Sequence, residues 1–347
     1  MTSASFTLSR RTFLLGAGTA IGASALGTPA LAQEKSCVVG TWGGDYLNLL
    51  EANIVKPLLA PQGISVQWDV AGQGPRKNKL IAERRLPKGT IDVACLPDSD
   101  VYDVSLSGAL EPLTEENVPN IKNVIPALRR THSVSQLFSG MVLIYNPNHA
   151  QPKSYADLWD EKYRGKVGIV DLSFNWMYAI AALAGGDSLS NFEPAKKRLL
   201  EWKKLGVRVY PSNEAVGQAL QSGEIWITAL WRGRAVQWEK AGIPVTNVVP
   251  TEGLIPVTYE ACIAKNAPNK EFGLAFLNAM LDPQGQIAFA QTMGYSPTVT
   301  NAQIPPELAK KVSFSAEETA KLRNPDFAYL AKEYQNLRQW WDREFLA

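Results

Sequence analysis

"TWGGDYLNLLEANIVKPLLAPQGISVQWD", residues 41–69, decides the fold. A β-branched run ends at Thr41, Gly43 and Gly44 make a turn, an amphipathic segment covers residues near 45–60, and 64–70 read as a strand again. Strand, turn, helix and strand in so short a span is the repeating unit of parallel α/β structure. Trp42 stands in that turn, a bare indole beside two glycines where a strand meets a helix.

The same alternation continues outward. Residues 37–41 and 91–96 read as further strands, with a helix near 74–86 between 64–70 and 91–96. A second series has strands at 167–171, 207–210, 225–230 and 245–249, with helices at 175–183 and 192–205. Between the series lies "FSGMVLIYN" (138–146), a core strand or a link, and its position favours a link. "PVTYEACIAK" (256–265) is another strand, followed by helices at 269–281 and 283–292. Residues 325–346 carry Phe327, Tyr334, Trp340 and Trp341 at helical spacing, a stripe suited to packing. With 347 residues, 46% of them hydrophobic, the chain exceeds the roughly 250–300 residues at which single cores stop growing, so two lobes are expected.

Ser9-Arg10-Arg11-Thr12-Phe13-Leu14 precedes a small-residue apolar run that ends in Ala30-Leu31-Ala32, the pattern of a twin-arginine signal peptide cleaved near Ala32. Cleavage would remove two of the 35 basic residues and none of the 33 acidic ones, turning a net charge of +2 into zero. Such a balance gives no global field for nucleic acid or an anionic membrane. Cys37, Cys95 and Cys262 are odd in number, widely spaced and set in apolar runs, as buried thiols are, although an oxidising compartment would permit one bridge.

Reactive motifs fail on inspection. Gly72-Gln73-Gly74 follows a strand, but the third glycine of a dinucleotide fingerprint would fall at Lys77. His132 and His149 are the only histidines and sit in loop-like sequence. "PDSDVYD" (97–103) has three carboxylates, yet an EF-hand loop starting at Asp98 would need glycine where Asp103 stands. Asp98 or Ser99 is a candidate helix cap at a strand's carboxyl edge, where open α/β sheets bind ligands.

The order of segments resembles the bacterial periplasmic solute-binding proteins of ABC transporters, of the spermidine/putrescine-binding type. The likeness is carried by "TWGGDY", "IDVACLPDSD", "GMVLIYNP" and, most specifically, the stretch 260–298 from "EACIAKNAPNK" to "MGYSPT". It implies a two-lobed α/β fold of type II-like arrangement, each lobe a sheet flanked by helices. Residues 33–140 and 258–347 would form lobe 1 with the C-terminal helices, and 141–257 lobe 2 with crossing segments at its ends. A small ligand would be held in the cleft by hinge closure. The implied partner is an inner-membrane ABC permease, and the implied protein is a periplasmic monomer without cofactor, metal, nucleic-acid partner or enzymatic activity.

On that resemblance Trp42, Asp45, Asp98, Ser99, Trp176, Trp231, Arg232 and Tyr259 would line the cleft, with Asp171, Asn175, Glu252 and Tyr295 in second rank. Polyamine binders neutralise ammonium groups with carboxylates and stack methylenes on rings. Here the aromatics are better kept than the acids: "DLSFNWMY" turns apolar after Asp171, and the Trp-x-Asp of the second crossing becomes Val257-x-Tyr259, with Glu260 on the strand's other face. Arg232 replaces the family's usual Asn; facing the cleft it would bind a carboxylate, as in an amino-acid or opine-type solute, and facing solvent it would not. The alternatives are an exported hydrolase or transferase working through carboxylates, and a ferric-iron carrier of the same fold.

Overall fold

The computed structural model describes residues 35–347. The signal-peptide reading falls on residues outside these. Ten strands occur among the described residues: β1 (Ser36–Thr41), β2 (Ser65–Val70), β3 (Val93–Pro97), β4 (Val134–Tyr145), β5 (Val167–Val170), β6 (Arg208–Tyr210), β7 (Ile227–Trp231), β8 (Thr246–Val248), β9 (Ile255–Ile263) and β10 (Ser296–Pro297). They run in the order β2-β1-β3-β9-β4-β7-β5-β6, with β8 and β10 paired to β4.

The pairing divides this sheet. β2, β1 and β3 are mutually parallel, as are β7, β5 and β6, whereas β9 and β4 are antiparallel to their neighbours and lie between the two groups. β4 changes partner at Met141, which stands opposite both Ile255 of β9 and Trp231 of β7. "FSGMVLIYN" is thus both a core strand and the link, and it begins earlier than expected, at Val134.

Alternation accounts for burial on both sides of the parallel strands. In β3, Val93 and Cys95 enter one core while Ala94 and Leu96 enter another; in β5, Ile169 and Val170 divide likewise. Cys37, Cys95 and Cys262 are buried and unbridged, and burial pushes the Cys37 thiol up to about 12. Beneath β1 the buried Asp92 accepts from Val38 N (2.8 Å) and Asn269 N (2.7 Å), tying the strand to the approach of a later helix.

The helices are α1 (Gly44–Leu50), prolonged by a π-helical segment Glu51–Leu59, then α2 (Gln73–Glu83), α3 (Asp98–Leu106), α4 (Phe174–Ala184), α5 (Glu193–Lys204), α6 (Asn213–Gln221), α7 (Arg232–Lys240), α8 (Lys270–Met280), α9 (Pro283–Met293), α10 (Pro306–Val312), α11 (Ala316–Ala320) and α12 (Phe327–Trp340). Their ends follow local chemistry. α9 opens on Asp282, which accepts from Gln284 N and Gly285 N ahead of Pro283, and closes on the left-handed Gly294 (φ 74°). α12 packs on α4: Tyr178 Oη donates to Leu337 O (2.9 Å), and Trp341 is fully buried against Phe174 and Phe345. Of the C-terminal aromatic stripe, Trp341 is core packing and Phe327 and Trp340 are partly buried, whereas Tyr334 is exposed. No described helix is long and apolar enough to cross a membrane.

Candidate functional site

β1, β3, β5 and β7 deliver Trp42, Asp98, Asp171 and Arg232 at or just past their carboxyl ends, the edge where α/β sheets take ligands. After β1 the chain turns through the left-handed Gly44 (φ 64°), a conformation that costs a side-chain-bearing residue 1–2 kcal/mol or so. Trp42 is thereby held half-buried over Tyr46 (5.1 Å, edge-on) and Tyr259 (5.5 Å, edge-on), and Tyr259 meets Tyr295 edge-on at 5.6 Å. Tyr259 on β9 and Trp231 at the end of β7 are only partly buried, and each packs against both of the larger cores. They sit where those cores meet. Burial raises the Tyr259 and Tyr295 phenols, so they are neutral hydrogen-bonding surfaces at physiological pH.

The other expected residues divide differently. Asp45 is exposed in the first turn of α1. Asn175 is partly buried early in α4. Trp176, expected in the cleft, is a core residue, because α4 is apolar nearly all round and buries Phe174, Trp176 and Met177 alike.

Three charged residues expected at the ligand are occupied within the protein. Arg232 is 7% exposed; its Nε donates to Asn247 Oδ1 (3.1 Å), its Nη2 reaches Glu318 Oε1 (3.2 Å), its Nη1 donates to Ser313 O (2.5 Å), and its guanidinium lies 4.0 Å from the Phe314 ring. Neither the cleft-facing nor the solvent-facing reading holds, since the carboxylate it meets is the chain's own. Asp171 is held by Arg338 (3.2 Å) and by the Trp341 indole N–H (2.8 Å), which clamp α12 to the end of β5. Glu252 accepts from Ser154 Oγ (2.5 Å), Tyr155 N and Ala156 N (3.0 Å each), capping a 3₁₀ turn at Tyr155–Trp159.

Asp98 is not the cap of α3; Pro97 is, without a side-chain bond, and Asp98 Oδ1 instead accepts from Ser99 N (2.8 Å). Asp98 Oδ2 accepts from Thr258 N (3.1 Å), with Thr258 Oγ1 also at 3.1 Å. Glu260 does lie across β9 from Tyr259: buried, it accepts from Arg130 Nε (3.2 Å) and Ser133 Oγ (2.5 Å), and its Oε1 is 2.9 Å from Thr258 Oγ1. Both carboxyls border a cavity of about 240 Å³ that also touches Tyr102, His132 and Phe327. Burial first, and the Glu260 carboxylate second, push Asp98 up to about 7.

Arg76 was absent from the expected set. It reaches from α2 across the ends of β1 and β3, 1% exposed, with its guanidinium 4.4 Å from the Trp42 ring centroid. One signal in the sequence was available: Arg76 shares the buried helix face of Leu80, four residues on. No group of metal-ligating side chains is found among the described residues.

Two sets of parallel strands joined by crossing strands, with aromatics at the junction, define a two-lobed binding fold with its cleft between the lobes. A solved ABC transporter structure from Clostridium perfringens shares it, with a TM-score of 0.79 at 22% identity over 88% of this chain and 99% of that one. The chain belongs to the bacterial extracellular solute-binding proteins, whose family model matches residues 53–316. Among relatives, the spermidine/putrescine-binding periplasmic protein of Escherichia coli is 26% identical over 62% of this chain and 66% of its own length. A gamma-aminobutyric acid-binding protein of Pseudomonas aeruginosa is 23% identical over 79% of this chain and 80% of its own.

Proposed function

We propose that the protein is the periplasmic substrate-binding component of an ABC importer. It takes a small organic solute of the polyamine, amino-acid or opine type into the interlobe cleft by hinge closure and presents it to a membrane permease. Residues 35–140 with 258–324 form one lobe, and residues 141–257 form the other, joined there by α12, which the resemblance assigned to lobe 1 but which packs on α4; β4 and β9 carry the hinge. The observation that carries the reading is the seat of Tyr259 and Trp231: partly open aromatic rings where the crossing strands β9 and β4 meet β3 and β7, Tyr259 opposite Pro97 and Trp231 opposite Met141, with Trp42 edge-on to Tyr259. Large rings that stay partly open at such a junction are binding surface rather than core. Export by the twin-arginine route, removal of residues 1–32, a monomeric state and the lack of turnover complete the proposal.

Its test is titration of the purified protein with diamines, ω-amino acids and opine-type N-carboxyalkyl amino acids, following tryptophan fluorescence. Saturable one-to-one binding without product, weakened roughly tenfold or more in Trp42→Ala at unchanged melting temperature, is expected. Unchanged affinity in that variant would remove Trp42 from the site.

A further inference from the structure

Buried polar atoms without partners are rare, and two of them belong to residues beside Tyr46, with Thr41 Oγ1 a third at the end of β1. Arg76 Nη2 and Gln136 Nε2 are both buried donors with no acceptor in reach. The rest of each side chain is fixed. Arg76 donates through Nε to Cys95 O (3.0 Å) and through Nη1 to Ala71 O (2.5 Å), while Gln136 Oε1 accepts from Tyr46 Oη (2.6 Å). Both residues are at least 99% buried, and no carboxylate among the described residues lies within ion-pair distance of Arg76. A buried guanidinium without a contacting counter-ion is costly, with Asp69 and Asp100 acting on it only from farther off; both groups lack an acceptor, and an anionic one would also offset the charge of Arg76.

Resting on the reading of the cleft as a solute site, we infer that Arg76 and Gln136 form the anion-receiving subsite of lobe 1, and that the solute carries a carboxylate. The position suits this, since both donors lie near the carboxyl ends of β1 and β3. A planar carboxylate offers two acceptor oxygens to two N–H donors, whereas an ammonium would find no acceptor there and would meet a like charge. Trp42 is the cover. Its ring stacks on the Arg76 guanidinium, its indole nitrogen bonds to nothing among the described residues, and it stands beside the Gly43-Gly44 turn. The ring swings aside as the carboxylate enters and then stacks on the solute's apolar stem.

The experiment is calorimetric titration with ω-amino acids of three to six carbons, including 4-aminobutyrate, and with the diamine of matching length for each, including putrescine. Wild type is expected to bind at least one amino acid tenfold or more tighter than its matched diamine. Gln136→Glu, which keeps an acceptor for Tyr46 and replaces the subsite's amide donor by a charge that repels a carboxylate, should lose that binding at least tenfold in a protein that still unfolds cooperatively. Arg76→Lys should lose it roughly tenfold to a hundredfold. Preference for diamines, or unchanged amino-acid affinity in Gln136→Glu, would overturn the subsite and leave solute capture standing. Binding of neither series would overturn the ligand class.

Discussion

Asp98 is expected to hold its proton close to neutral pH, so Asp98→Asn should flatten part of the pH dependence of stability. Thr258 Oγ1 has a single proton to donate, yet it stands 3.1 Å from Asp98 Oδ2 and 2.9 Å from Glu260 Oε1. One of these contacts therefore needs a proton from the carboxyl side. Asp98, 5% exposed and raised to about 7, is the group that carries it. An acid raised in the folded state binds its proton more tightly there than when unfolded. Its contribution is complete below about pH 4 and is lost as pH rises through about 7. Taken from 3.8 to about 7, the difference is at most about 4 kcal/mol. Urea unfolding of wild type and Asp98→Asn across this window, one profile subtracted from the other, isolates the Asp98 term together with its coupling to Glu260. Stability of the variant relative to wild type should climb by several kcal/mol between about pH 4 and pH 8. Parallel profiles would refute the shared proton.

Arg232→Ala should destabilise the protein by about 2–3 kcal/mol, since it strands Asn247 and Glu318 and frees residues 313–318. Limited proteolysis should then cut near Phe314, and an uncut segment at unchanged stability would contradict the anchoring of residues 313–318 by Arg232. Asp171→Asn should cost roughly 1–3 kcal/mol by loosening Arg338 and Trp341, with solute affinity unchanged in the same preparation. A selective loss of binding there would return Asp171 to the ligand.

The architecture was legible because its signals are local. Alternation in residues 91–96, the Gly44 turn and the Asp282-Pro283 start of α9 each depend on neighbours along the chain. Helix α6 has local signals as well: Ser212 caps it by accepting from Ala215 N, and Val216, Ala219 and Leu220 bury one face. The site was read less well, for a physical reason. Whether an arginine faces a ligand depends on which carboxylate arrives from far along the chain. Arg232 finds Glu318, 86 residues on, and nothing at residue 232 announces it. Asp171 and Glu252 were likewise claimed by distant groups, Arg338 and Ser154. Arg76 shows the converse case. A basic side chain in an amphipathic helix ordinarily reaches water, and only the closure of β1, β3 and Trp42 around this one buries it.

Closure of two lobes around a solute is the central claim, and one distance tests it. Val70, the last residue of β2, and Leu172, just past β5, are exposed, 55% and 76% accessible, and the native cysteines are buried, so labels on Val70→Cys and Leu172→Cys would report specifically. Pulsed electron–electron distance measurement with and without the diamine, ω-amino-acid and opine-type panel is the direct assay. The account predicts a shorter and narrower distribution with the solute that binds. A distribution unchanged by every compound at saturating concentration would contradict it.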